Sequence, residues 1–111
     1  MITFPVFLIA LRSDHKPLML RGSKALILPL FDDAELAEKF AAGQRANLAT
    51  IAKITSAAEL LPWAKATPCN LIWWNAIQAN GKWFSEKTVP MAKFADSLER
   101  QAESEGSAGL N

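Results

Sequence analysis

Residues 25–43 read ALILPLFDDAELAEKFAAG, and this stretch decides the fold. Ala25 to Leu30 are apolar at odd and even positions alike. Side chains on a strand alternate between faces, so such a run suits a strand covered on both sides. Pro29 brings no N–H to a ladder, and strand pairing is expected to fade near it. The period then changes. Asp32 stands three residues before Glu35, a capping-box spacing with aspartate in the serine position. Leu36, Ala37, Phe40 and Ala41 follow at helical spacing and make one apolar stripe. Gly43 is expected to close this helix in the left-handed conformation. A double-sided strand followed by a one-sided helix is the unit of a helix-flanked sheet.

Toward the N-terminus, residues 6–12 read as a strand, 13–16 as a polar turn and 17–21 as a returning strand. The chain turns again at Arg21-Gly22-Ser23. Toward the C-terminus, residues 48–54 read as a strand. Ser56 and Glu59 form a second capping box, with Leu60, Leu61 and Ala64 on the buried side of the helix they open. Pro62 is expected to kink that helix or divide it into two turns. Residues 70–76 form the next strand, and Leu71-Ile72-Trp73-Trp74 is apolar on both faces, which places it centrally.

Asn80-Gly81 predicts a type I′ hairpin pairing Ala79 with Lys82, Gln78 with Trp83 and Ile77 with Phe84. Pro90 is suited to the first position of a last helix, striped by Met91, Phe94, Ala95, Leu98 and Ala102. The expected fold is of α+β or α/β class, in the order β-β-β-α-β-α-β-β-α. It has a single mixed sheet of five to six strands and three helices. Each strand–helix–strand step is expected to be a right-handed crossover joining parallel strands. Residues 1–102 are expected to form a single globular domain. Residues 103–111, polar and small, form a flexible C-terminal tail.

Composition narrows the function. The 111 residues carry twelve basic against eleven acidic side chains, which argues against nucleic acid or an anionic membrane surface as partner. The apolar N-terminus lacks a basic leader and a small-residue cleavage site, so it reads as a strand. The longest uncharged run, 66–81, is too polar and short to span a membrane. One cysteine, Cys69, allows no internal disulfide and gives no metal spacing, so a cytoplasmic location is expected.

No catalytic, metal or cofactor site is expected. His15 beside Asp14 could supply a general base, but no nucleophile has matching context, and a surface turn is the plainer reading. Asp32, Asp33, Glu35 and Glu38 could in principle bind a cation, yet acids in a first helical turn answer the helix dipole. Cys69 follows Pro68 into an apolar strand and reads as a small buried hydrophobe. Neither glycine-rich phosphate fingerprint occurs.

The tryptophans are the least ordinary feature. Trp63, Trp73, Trp74 and Trp83 fall within 21 residues. Trp73 is expected in the core. Uninterrupted alternation would put Trp74, Ala76, Gln78 and Trp83 on one face. Left uncovered, Trp74, Gln78 and Trp83 would be an aromatic patch for a protein partner or a second copy. The other candidate site is a small-molecule pocket at the carboxyl ends of the parallel strands, with Asp32, Ser56 and Asn75 in reach.

The run Leu28-Pro29-Leu30-Phe31-Asp32, followed by Ala34 to Phe40, resembles the proline-apolar-Phe segment and short Phe-ending helix of SseB-like bacterial proteins. The strand at 48–54, the capped Glu59-Leu60-Leu61 helix and the strand from Leu71 to Asn75 continue the resemblance, which covers residues 6–76. Where that family often ends its strand in Asn-Pro, this chain has Asn75-Ala76. The resemblance implies a compact α/β module of cytoplasmic, bacterial origin and carries over no catalytic residue. The lack of a chemical constellation and the tryptophan-rich second half lead to the expectation of a non-enzymatic protein-interaction module, with a small-molecule-binding regulatory domain as the alternative.

Overall fold

A computed structural model describes residues 2–11, 16–44 and 49–109. Its elements are β1 (Val6–Leu11), β2 (Leu20–Arg21), β3 (Leu26–Leu30), α1 (Ala34–Gly43), β4 (Ala49–Ile54) and α2 (Ala57–Ala66), then β5 (Leu71–Trp74), β6 (Ile77–Ala79), β7 (Lys82–Phe84), β8 (Lys87–Pro90) and α3 (Met91–Gly109). Three helices on mixed strands give the α+β class that the pattern implies.

The strands do not form one sheet. A central four-stranded sheet has the order β2-β3-β5-β8, β1 pairs with β4, and β6 pairs with β7. β3 and β5 are parallel, and the other ladders are antiparallel. Pro29 explains the division. The carbonyls of Leu26 and Leu30 accept from Asn70 and Asn75 on the β5 side. Alternation therefore turns the nitrogen of Pro29 to the opposite edge. On that edge β2 pairs with Leu26 and Ile27, and β1 meets Phe31 through a reciprocal pair of hydrogen bonds with Phe7 at 2.7 and 2.9 Å. Pro29 lies in the gap between these two neighbours. Pairing to β5 does not fade there but continues to Leu30 opposite Trp74.

The crossover expectation is also corrected. β4 joins β1 rather than β3, so the parallel pair β3–β5 is linked through α1, β4 and α2 together. The opening hairpin survives as a bridge between Ala10 and Pro17, after which the chain leaves β1 to pair with β3.

The double-sided reading of β3 holds residue by residue. Leu28 and Leu30 enter a cluster with Leu60 and Ala64 of α2 and Phe94 and Leu98 of α3. Ile27, with Phe31 just beyond the strand, enters a second cluster with Ala37, Phe40 and Ala41 of α1. Phe31 and Phe40 lie 5.8 Å apart between ring centroids. The central sheet thus has α1 on one face and α2 with α3 on the other.

Several local expectations shift. Asp33, not Asp32, caps α1, accepting from the backbone N–H of Glu35 and Leu36 at 2.7 and 3.4 Å. Gly43 is not left-handed, and Gln44 caps the helix at φ −86°. A Cβ on Gly43 would stand 3.0 Å from Oε1 of Gln78, the end of an exposed side chain that can swing aside. Ser56 caps α2 as expected, while the Glu59 carboxylate reaches back to Thr55. α2 runs unbroken through Pro62. Pro90 ends β8 opposite Leu71, and α3 begins one residue later. α3 also continues past Ala102 to Gly109, through residues read as tail. The Glu105 carboxylate accepts from the N–H groups of Ala57 and Ala58 at 2.9 and 3.1 Å, which satisfies two free donors of α2.

Candidate ligand cleft at the ends of the parallel strands

Asn75 follows β5 directly and adopts φ +53°, left-handed backbone that asparagine tolerates better than most residues. It joins three segments. Its N–H donates to the Leu30 carbonyl at 2.8 Å, and its side-chain oxygen accepts from the Asp32 N–H at 3.1 Å. Its side-chain NH₂ donates to Oε2 of Glu86 at 2.6 Å. Glu86 N–H and the Ser85 hydroxyl both donate to the Trp74 carbonyl.

Beyond this junction β3 leads into α1, and the chain leaving β5 first runs along that same side through Ala76 and the β6–β7 hairpin. It then returns as β8, antiparallel to β5, and enters α3 on the opposite face. In open α/β sheets ligands bind outside the carboxyl ends of parallel strands. A cleft of about 350 Å³ lies there. Its floor is apolar, made by buried Phe94 and half-buried Ile2, Trp74 and Val89. Trp74 and Phe94 meet edge to face at 6.1 Å. Exposed Asp32, Glu86, Lys87 and Lys93 form the rim. The Gln101 side chain holds Ile2 against α3, accepting from its N–H at 2.9 Å and donating to its carbonyl at 2.8 Å.

Of the proposed pocket residues, the fold brings Asp32 and Asn75 together and leaves Ser56 at the cap of α2, outside the cleft. The expected aromatic face does not form. Left-handed Asn75 interrupts the alternation, so Trp74 packs on the α2–α3 side while Trp73, Ala76 and Trp83 pack on the α1 side. Gln78 is exposed and accepts from Nε2 of Gln44 at 2.6 Å. The β6–β7 hairpin has the predicted register, with Asn80 and Gly81 at φ 55° and 75°. Its outer face presents Ile77 and Phe84, cross-strand partners that are 50% and 48% exposed.

Glu86 and Lys87 escape the sequence reading because residues 85–89 carry no strong periodicity, while Phe94 is legible only as part of the α3 stripe and Lys93 only as a charge on that helix. The β-branched pair Thr88-Val89 was the available sign of β8. His15 and Asp14 lie outside the described residues. Among the described residues, no three His, Cys, Asp or Glu side chains are placed to hold a metal. Cys69 is buried, and burial pushes its thiol above the ordinary value, partly opposed by the Thr67 side chain. Among the described residues, no helix is long and apolar enough to cross a membrane. No protein-family model and no curated protein matches the chain.

Proposed function

We propose that this chain is a binding module without catalytic chemistry of its own, which holds a small-molecule ligand in the cleft beyond β3 and β5. The observation that carries the reading is Asn75, a left-handed residue whose amide fixes Asp32 and Glu86 at the mouth of an aromatic-floored crevice. The carboxyl ends of parallel strands are where open α/β sheets place ligands. The resemblance to SseB-like proteins fits a cytoplasmic, bacterial module of this kind. A thermal-shift screen of the full chain against a metabolite collection tests it. Compounds that raise Tm in the native protein and lose that effect in Trp74→Ala are expected, and uniformly unchanged melting would overturn the reading.

A second reading, a protein-interaction module that can self-associate, rests on Ile77 and Phe84. Among the described residues these are the large hydrophobic side chains that stand exposed, and they adjoin each other on one hairpin face. Light scattering after size exclusion is the test, comparing the native chain with Ile77→Ser/Phe84→Ser. A concentration-dependent dimer that the double variant abolishes supports it, and an invariant monomer removes self-association.

A further inference from the structure

The rim of the cleft is balanced in charge. The acidic residues Asp32 and Glu86 both line the cleft, and the Asn75 amide ties them together, accepting from the Asp32 backbone N–H and donating to the Glu86 carboxylate. Ammonium groups come from Lys87, which opens β8, and from Lys93, in the first turn of α3. No two of these four groups pair with one another, since the salt bridges among the described residues are Lys65–Glu99 and Asp96–Arg100. Both signs are therefore available to a ligand, with Trp74 and Phe94 between them as an apolar bed.

A ligand of one net charge would leave the like-charged half of the rim unsatisfied. A ligand carrying both signs on an apolar body would satisfy both halves at once. The volume, about 350 Å³, is at the small end of ligand pockets, which suits a molecule of a dozen or so heavy atoms rather than a nucleotide. We infer that the cleft takes a small zwitterion with an apolar side chain, the chemistry of a free hydrophobic amino acid. Its ammonium lies toward Asp32 and Glu86, its carboxylate toward Lys87 and Lys93, and its side chain over Trp74 and Phe94. This assignment rests on the small-molecule reading above.

Nitrogen-15 NMR titration of the full chain provides the test, with three probes: L-leucine, N-acetyl-L-leucine, which lacks the cation, and L-leucinamide, which lacks the anion. L-Leucine is expected to shift the amides of Asp32, Asn75, Lys93 and Phe94. Each blocked probe is expected to bind at least about tenfold more weakly, the loss of one hydrogen bond to a charged group. Lys93→Gln should weaken L-leucine and leave L-leucinamide unchanged, and Asp32→Asn should weaken L-leucine and leave N-acetyl-L-leucine unchanged. If either blocked probe binds as tightly as L-leucine, the dipolar assignment is wrong although the cleft is a binding site. If L-leucine shifts none of the cleft amides, the assignment also falls, while the metabolite screen separately decides whether the cleft binds anything.

Discussion

Asn75 shows how one residue can set both a strain and a site. Replacing it with glycine keeps the left-handed backbone and removes the bonds to Asp32 and Glu86. Replacing it with alanine removes the same bonds and adds a backbone penalty of about 1–2 kcal/mol. Asn75→Ala is therefore expected to be the less stable of the two by about 1 kcal/mol in urea denaturation. Equal midpoints would show that the backbone is not strained there. Cys69 gives a pH-dependent expectation. Burial raises its thiol above the ordinary value of 9.0 in the folded state, so the unfolded chain ionises first, at that ordinary pH. Stability from this group is intact below that pH and is lost as pH rises toward the folded value. Denaturation at about pH 7 and about pH 10 should show a larger alkaline loss in the native chain than in Cys69→Ala. What the sequence hid at this scale was parity. The adjacency of Trp73 and Trp74 was legible, but the left-handed turn that separates Trp74 from Trp83 was not, because asparagine at a strand end is also ordinary loop chemistry.

Elements were legible where local chemistry dictates them. The Asn80-Gly81 turn gave the β6–β7 register because positive φ at both positions admits few residues. Gly81→Ala is expected to cost about 1 kcal/mol of hairpin stability from the backbone alone, since an added Cβ would meet nothing within 4 Å. Faster amide exchange confined to Ile77–Ala79 and Lys82–Phe84 would register it. The far end of α3 was illegible for the opposite reason. Its residues look like a solvated tail, and what orders Glu105 is a distant helix start whose N–H groups need a partner. Glu105→Ala is expected to destabilise the chain by about 1–2 kcal/mol, in the range of a lost N-cap, as judged by the denaturation midpoint. No change would mean that water serves α2 equally well. Pro62 is the converse case, a residue whose local rule the fold overrides, and nothing local could have announced that α2 passes through it unbroken.

At the scale of the whole molecule, the double-sided strands implied two covered faces, and the two clusters confirm that layering. Topology was not legible, because which strand β4 joins depends on long-range pairing rather than on its own six residues. The clusters share the central sheet but not their side chains. Ile9→Val on the α1 side and Ile72→Val on the other are each expected to cost about 0.5–1.5 kcal/mol. Their effects should add to within about 0.5 kcal/mol in the double variant. A larger departure from additivity would mean that the sheet transmits packing changes between its faces.

Pro29 has a consequence for folding fidelity. One edge of β3 serves two different neighbours, and the nitrogen between them has no hydrogen to give. A ladder advancing from the β2 end cannot zip past that point, and one advancing from Phe7 cannot zip back. The proline is a buffer stop facing both ways, which opposes sliding misalignments along the strand where β1, β2 and β5 meet.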